Sequence, residues 1–418
     1  MDARRPFPPV VRWVWSAARL WRRVWWLLVL GGTASSLPFA TVATAPGLSG
    51  ASAPPPGQER NLARALATYQ SLQQHFATNS ARLRETDSAP GDDAYATLWP
   101  FSQALVGVLL VSPSTPQGDD TSAVVQDLTD TLGAYWDAGA TPPGYAASML
   151  PPLGGGGRKF FDDNAWTGLA LVQAFRLSGD PAALARAGQA FEFVVSGWDD
   201  DPTHPDPGGV WWSQTMPNPR FRHRNTVSTA AGAELGLQLY EAGGRAEPRY
   251  RDWATRMYTW VDTYLRAPNG LYGDHVDLGG VVDSGQLAYN QGTMVGVSVL
   301  LYRVTGEAAY LARARAIADT SLETFGADGF GQAPAYNAVF FRNLLLLEEE
   351  TGDARYRAAM QTYADRMWDA RRDPASGLFD VVYGRSRTTT PHRLLDQGAM
   401  LQVYAALALG PSVYRALT

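Results

Sequence analysis

The sequence predicts an all-α protein with an (α/α)6 barrel, a toroid in which six helical hairpins close on themselves. From Arg60 onward, apolar residues recur at helical spacing, and almost no alternating strand pattern is present. Strongly apolar helices alternate with amphipathic ones, and a helix that is apolar on most sides is a buried helix. The repeat of roughly 45 to 65 residues fits one helix pair with its loops.

The predicted helices fall into two sets of about six. The predicted buried helices cover residues 99–111, 166–177, 227–240, 293–304, 338–347 and 399–409. The predicted outer helices are more charged and cover residues 61–84, 122–136, 181–195, 248–265, 308–323 and 354–369. We expect a closed ring rather than an open solenoid, because neither end of the series offers a polar capping repeat.

A short glycine-containing motif joins consecutive helices. Ser or Thr, then Gly, then Asp or Glu occurs around Gly179, Gly306 and Gly352, and Gly243-Gly244 takes the same place in a looser sequence. Glycine ends a helix readily because it adopts the left-handed conformation without steric cost. The acidic residue that follows is suited to begin the next helix.

The N-terminal region predicts export. Arginines up to Arg23 precede an uncharged, mostly apolar run from Val24 to Ala45. Residues 1–45 are therefore predicted to be a signal peptide or an N-terminal membrane anchor, with the main body outside the cytoplasmic membrane. Residues 46–58 read as a Pro/Ser/Gly linker, and residues 59–418 as the barrel domain. We expect a secreted or extracytoplasmic protein, released or held by a membrane tether.

Composition excludes several classes of function. The chain has 418 residues and no Cys, which excludes disulfides and thiolate catalysis. The net charge is −5, and no basic patch follows the N-terminal arginines, so nucleic acid is not an expected partner. The 14 Trp, 18 Tyr and 15 Phe fit the stacking of rings on sugars, and they fit a large helical core equally well.

No metal and no organic cofactor is predicted. The five His residues show no metal-binding spacing, and the glycines at 154–157 lack the Lys-Ser/Thr ending of a phosphate loop. We interpret these glycines as a flexible approach to the helix that follows. The acidic run at 198–201, with Asp206, lacks the alternation of a calcium loop and is expected to be a solvated acidic loop.

Asp162 and Asp163 are the candidate catalytic residues. They stand at the start of an apolar helical run, where neighbouring side chains diverge by roughly 100° and their carboxyl groups can lie about 5 Å apart. That separation suits a retaining glycosidase, in which one carboxylate is the nucleophile and the other the acid/base. The alternative is a doubly acidic helix start that only complements the helix dipole.

Six segments that lead into the buried helices carry amides, carboxylates and aromatic rings. They include Trp99 to Gln103, Asp162 to Trp166, Arg222 to Asn225, Tyr289 to Gly292, Ala335 to Asn337 and Asp396 to Gly398. In a toroid of hairpins such segments share one face, so we expect one cleft that binds an oligosaccharide or polysaccharide. The candidate substrate-binding residues are Trp166, Trp211, Trp212, Asn225, Asp274, Tyr289 and Asn290. One of the two consecutive tryptophans is expected to stack on sugar and the other to belong to the core. Asp274 is open to a second interpretation, a short turn between two helices.

The sequence resembles glycoside hydrolase family 76, the endo-α-1,6-mannanases. The resemblance covers most of the chain from about Leu98 and rests on Phe-Phe-Asp-Asp-Asn-Ala-Trp (160–166), Gly-Gly-Val-Trp-Trp (208–212), Asn225 before an apolar helix, and Tyr-Asn-Gln-Gly (289–292). It implies an (α/α)6 barrel, Asp162 as the nucleophile, Asp163 as the acid/base, and α-1,6-mannose chains as substrate.

Two other functions remain open at this point. The family resemblance also implies transglycosylation, in which a sugar hydroxyl replaces water. A non-catalytic glycan-binding protein that kept the cleft is the third hypothesis, and the presence of both Asp162 and Asp163 argues against it.

Overall fold

The computed structural model describes residues 56–78, 82–87, 95–114, 121–215, 218, 222–381 and 391–418. The predicted signal or anchor and residues 46–55 of the predicted linker lie outside these residues. Within the described residues, no helix combines the length and apolar character that crossing a membrane requires.

Helices dominate the described part of the chain. In order, they are α1 (Pro56–Phe76), α2 (Leu98–Val111), α3 (Thr121–Thr131), α4 (Phe161–Ser178), α5 (Pro181–Val195), α6 (Thr226–Ala242), α7 (Pro248–Tyr264), α8 (Ala288–Thr305), α9 (Ala308–Gly326), α10 (Pro334–Thr351), α11 (Arg355–Arg371), α12 (Leu394–Ala408) and α13 (Pro411–Leu417).

The even-numbered helices from α2 to α12 form a closed inner ring. Each packs against the next even-numbered helix, and α12 packs against α2, which closes the circle. The outer helices α5, α7 and α9 each pack mainly on the inner helix before them, and α1 packs on α12. The predicted (α/α)6 barrel is confirmed, and the open solenoid is excluded.

The inner helices begin earlier than the sequence predicts. Helices α4, α8, α10 and α12 start four or five residues before their predicted first residues, at Phe161, Ala288, Pro334 and Leu394. Their first turns carry polar residues because they border a polar cleft, so the apolar periodicity becomes visible only one turn later. Much of what the sequence presents as connecting loops is therefore the first helical turn.

The glycine-containing motif ends helices as predicted. Gly179, Gly306 and Gly352 are left-handed C-caps with φ of 72°, 75° and 67°. At the looser site, Gly243 has φ −81°, and the positive φ of 66° belongs to Gly244. Glycine tolerates this conformation because it has no Cβ to clash with the backbone.

Five short strands interrupt the helical architecture among the described residues. They are β1 (Trp136–Asp137), β2 (Gly144–Tyr145), β3 (His223–Asn225), β4 (His275–Asp277) and β5 (Val282–Asp283). Strands β3, β4 and β5 form one antiparallel sheet, in which Asn225 pairs with His275 and His223 with Asp277. Asp274 thus precedes a strand, and the alternative of a short turn between two helices is wrong.

Buried amides near the N-terminal ends of inner helices clamp the preceding segment. Each accepts one backbone N–H and donates to the carbonyl of the same residue: Asn164 with Tyr145, Gln291 with Tyr272, and Gln397 with Phe379. The donor–acceptor distances lie between 2.7 and 3.1 Å. These amides satisfy backbone groups that would otherwise be buried without partners, so part of the predicted polar loops serves the fold.

Candidate active site

A cleft of about 530 Å³ opens at the N-terminal ends of the inner helices. Its walls come from all parts of the barrel. The lining residues are Glu85, Thr97, Trp99, Pro100, Ala147, Phe160, Asp162, Asp163, Trp166, Trp212, His223, Asn225, Val227, Asp274, Tyr289, Ala335, Tyr336, Val339 and Arg393. Segments far apart in sequence therefore converge on one face, as the arrangement of hairpins predicts.

Asp162 and Asp163 both line this cleft from the first turn of α4. The Phe161 N–H donates to the Trp212 carbonyl at 3.0 Å, which ties the start of the helix to the segment beside it. The Asp162 carboxyl accepts its own backbone N–H, that of Asp163, and the Trp212 side chain. Its Oδ1 finds no partner in the described part of the chain.

The environments of Asp162 and Asp163 affect the pKa values of their carboxyl groups differently. Burial raises the pKa of Asp162, and the hydrogen bonds from the backbone and from Trp212 oppose that rise. Burial also raises the pKa of Asp163, and the negative charge of Asp162 raises it further. Since Asp162 has donors for its charged form, it loses its proton first, and Asp163 retains its own.

Of the two consecutive tryptophans, only Trp212 lines the cleft. Its ring lies 5.0 Å from Phe160 and stacks on His223 at 5.6 Å. Trp211 packs instead against the Arg224 guanidinium, 5.4 Å from the ring centre. Trp211 was predicted to bind substrate, but it lies outside the cleft lining and packs against the core, whereas Trp212 lines the cleft. Both rings are half-buried. Trp166, in the second turn of α4, forms part of the cleft wall as well.

Asp274 lines the cleft and is held from behind. Its Oδ1 accepts a hydrogen bond from Asn290 Nδ2 at 3.2 Å, and its Oδ2 lies 2.9 Å from His275 Nδ1. Asn290 is fully buried and does not belong to the lining residues. The sequence predicts that Asn290 points into the cleft. In the structure its side chain lies behind the cleft wall and donates a hydrogen bond to the carboxylate of Asp274.

Asn225 and Tyr289 reach the cleft as expected. Asn225 occupies the N-cap position of α6, but its side chain caps no N–H of that helix, and its Oδ1 is unpartnered among the described residues. Tyr289 meets Tyr336 edge to face at 4.3 Å. Burial and then the charge of Asp274 raise the pKa of Tyr289, so the phenol stays protonated.

Several lining residues were not singled out from the sequence. Trp99, His223 and Tyr336 lie in the predicted polar segments, so the available signal was their position just before or inside a helix start. Arg393 directly precedes α12. Glu85 gives no such signal, because it lies near a segment predicted as helix; the structure ties it to Thr97, whose N–H and hydroxyl donate to Glu85 Oε2 at 2.7 and 3.1 Å.

The acidic run at 198–201 is not simply solvated. Asp199 is buried and pairs with the fully buried Arg224 at 3.0 Å and with His204 at 2.9 Å. Arg224 also donates to the carbonyls of Pro205 and Asp206, which fastens this loop to β3. Among the residues described, no group of three or more His, Asp or Glu side chains is arranged to hold a metal ion.

The sequence model of glycosyl hydrolase family 76 matches residues 62–365 of the chain. The mannan endo-1,6-alpha-mannosidases of Candida glabrata and Saccharomyces cerevisiae are each 28% identical to it, over 199 and 180 residues. These matches include 45% and 40% of this chain and 40% and 39% of the yeast proteins. The chain thus spans about two fifths of the length of these curated relatives.

Solved structures share the fold. The family 76 α-mannanase of Bacteroides thetaiotaomicron superposes with a TM-score of 0.72 at 18% identity, over 83% of this chain and 95% of that one. The α-1,6-mannanase of a Salegentibacter species gives 0.65 at 20% identity, over 84% and 100%. A variant of the latter, inactivated by replacing two consecutive aspartates with asparagine, was solved in complex with α-1,6-mannotriose.

Proposed function

The chain belongs to glycosyl hydrolase family 76, and on this premise we propose that it hydrolyses α-1,6-mannosidic bonds inside mannan-type glycans with retention of configuration. The observation that carries the proposal is the pair Asp162 and Asp163, side by side on the first turn of α4 and both in the cleft. The consecutive aspartates replaced in the inactive Salegentibacter enzyme support the same chemistry.

In the proposed mechanism, Asp162 attacks the anomeric carbon while Asp163 protonates the departing glycosidic oxygen. Asp163 then removes a proton from water, and the water oxygen attacks the anomeric carbon and breaks its bond to Asp162. The separation of proton affinities supports this division of roles. The hydrogen bonds to Asp162 stabilise its carboxylate, and the negative charge beside Asp163 keeps the proton that the first step requires.

The remaining cleft residues supply what a pyranose needs. Trp166 and Trp212 offer ring surface, and Asn225, Asp274 and Tyr289 offer hydrogen-bonding groups to sugar hydroxyls. Hydrogen bonds that strengthen as the ring distorts lower the barrier further. Asn290 contributes indirectly, by holding Asp274.

For the whole protein, we propose an extracytoplasmic location, with residues 1–45 as a cleaved signal or a membrane anchor and residues 59–418 as the glycosidase domain. The arginine-rich flank followed by an uncharged run supports export. Cell-wall or environmental mannan would then be within reach of the cleft.

The decisive experiment is product analysis with linear α-1,6-mannan. We expect shorter mannooligosaccharides, with the α-anomer formed first when the products are followed by ¹H NMR. Initial β-anomer would contradict the retaining mechanism. Products longer than the oligosaccharide substrate would show transglycosylation in place of hydrolysis. Binding without any change in the glycan would support the glycan-binding hypothesis alone.

A further inference from the structure

Two histidines from neighbouring strands stack on each other at the cleft. The rings of His223 in β3 and His275 in β4 lie 4.0 Å apart at an angle of 29°. Trp212 stacks nearly parallel to His223, at 5.6 Å and 16°. His223 lines the cleft, whereas His275 is not among the lining residues. His275 is thus one layer away from any bound glycan.

The His275 ring is aimed at Asp274. Its Nδ1 lies 2.9 Å from Asp274 Oδ2, and a carboxylate oxygen can only accept, so Nδ1 carries the hydrogen. The other carboxylate oxygen of Asp274 accepts from Asn290. The backbone is fixed too, because the Thr226 N–H donates to the Asp274 carbonyl at 2.8 Å. Asp274 is therefore oriented from three sides.

We propose that His275 is a positioning residue for the reaction, which acts through Asp274. It holds the carboxylate of Asp274 turned so that its free lone pairs meet a sugar hydroxyl in the cleft. The inference rests on the proposed function. A side chain that is already held in one geometry accepts a hydrogen bond from a sugar hydroxyl without losing further rotational freedom. Hydrogen bonds to a carboxylate are about twice as strong as those between neutral groups.

The stack explains how the imidazole keeps this orientation. His275 packs face to face on His223, which packs on Trp212, and the Trp212 side chain donates to Asp162. Burial, and then the proximity of His275, lower the pKa of His223 to about 4, so His223 is neutral near pH 7. The stack therefore connects Trp212, which donates to Asp162, with His275, which donates to Asp274, through a neutral His223 ring.

Two substitutions separate the hydrogen bond from the stack. His275→Phe keeps an aromatic ring against His223 but cannot donate to Asp274, and we expect kcat/KM on α-1,6-mannan to fall by about 10- to 100-fold. His275→Asn offers an amide N–H close to the position of Nδ1 and should recover part of that loss. His75→Phe is the matched control, because His75 lies at the end of α1 outside the cleft lining; its kcat/KM should stay within about twofold.

A double-mutant cycle with Asp274→Asn distinguishes positioning from a structural role. If His275 acts through Asp274, His275→Phe has little further effect once Asp274 is an amide, so the two losses do not multiply. Fully multiplicative losses, or a His275→Phe enzyme within twofold of wild type, would overturn the proposal. A loss in His275→Phe that His275→Asn does not reduce at all would do so as well.

Binding supplies a readout that does not depend on turnover. In the Asp163→Asn background, His275→Phe should weaken the binding of α-1,6-mannotriose by about tenfold in calorimetry, with the same dependence on Asp274. If the wild type binds mannotriose without cleaving mannan, the proposed hydrolysis fails while this cycle still tests the role of His275. Unchanged affinity in His275→Phe would overturn the positioning role, and a protein that neither binds nor cleaves would overturn both proposals.

Discussion

At the scale of single residues, the catalytic proposal depends on the carboxyl groups of Asp162 and Asp163. Asp162→Asn removes the nucleophile and Asp163→Asn the acid, so each should lower the rate of mannan cleavage by roughly 10³-fold or more. Both amides fit the same space, and thermal unfolding should show a folded protein. Steady-state kinetics provide the check. A variant that keeps more than about a tenth of the wild-type rate would remove that residue from its assigned role.

A second prediction concerns Glu234, which no step of the reaction uses. Its side chain lies beside Gln238, Arg342 and Asn343 in a cavity of about 40 Å³ beneath Trp166. Burial raises the pKa of Glu234 to about 7. Since the folded state holds this proton more tightly than the unfolded state, stability from this group is complete below about pH 4.5 and is lost as pH rises through 7.

Glu234→Gln should therefore flatten part of the pH dependence of unfolding. Between pH 5 and pH 8 the free energy of unfolding of the wild type should drop by roughly 1 to 3 kcal/mol more than that of the variant. Urea denaturation at the two pH values measures the difference. The comparison with the variant is needed because burial also raises the pKa of Glu349 to about 7. Equal slopes for the two proteins would show that Glu234 titrates normally.

At the scale of elements, the amide clamps make a prediction about stability. Gln291→Ala leaves the buried N–H and C=O of Tyr272 without their side-chain partner, at a cost of roughly 1 to 3 kcal/mol for each stranded group. Chemical denaturation measures this loss. The control is Gln286→Ala, which breaks an exposed amide pair with Asn269 and should change stability by no more than about 0.5 kcal/mol.

The clamp interpretation also predicts which property is spared. Gln291 is not a lining residue, so mannan cleavage by folded Gln291→Ala protein should stay close to the wild-type rate at low temperature. Normal stability combined with lost activity would instead assign Gln291 to the cleft, together with Tyr289.

At the scale of the whole molecule, the N-terminal prediction remains to be tested. Expressed in its host, the protein should fractionate outside the cytoplasmic membrane, because the arginines precede the uncharged run. Intact-mass analysis should find a new N-terminus near Pro46 or Pro54 if the segment is a cleaved signal. A full-length form in the membrane fraction would identify an anchor, and a full-length form in the cytoplasm would contradict both.

Closure of the barrel is the step that turns scattered residues into a site. Helices α2 and α12 are the first and last of the inner ring, and their packing brings the segment around Glu85 to the residues that precede α12. Thr86 bridges to Arg393, and the Leu394 N–H donates to the Glu85 carbonyl at 3.0 Å. One wall of the cleft thus joins residues that lie about 300 positions apart.

The helical architecture and the candidate catalytic pair could both be predicted from the amino-acid sequence. Apolar periodicity, the glycine caps and the Asp162-Asp163 doublet are local properties, and local properties are visible in a linear chain. The inner helices are long and apolar, and outer helices such as α5 are amphipathic, so the number of hairpins and the closed barrel followed from the pattern alone.

Which polar residues support the fold and which line the cleft depends on contacts between helices. Asn225 reaches the cleft, Asn290 stands behind Asp274, and Gln291 clamps Tyr272, although all three were equally polar residues near a helix start. In the same way, Trp211 packs against Arg224 whereas its neighbour Trp212 lines the cleft. Which side of a helix start faces the cleft depends on how neighbouring hairpins pack, and those contacts join residues distant in sequence, which no local pattern records.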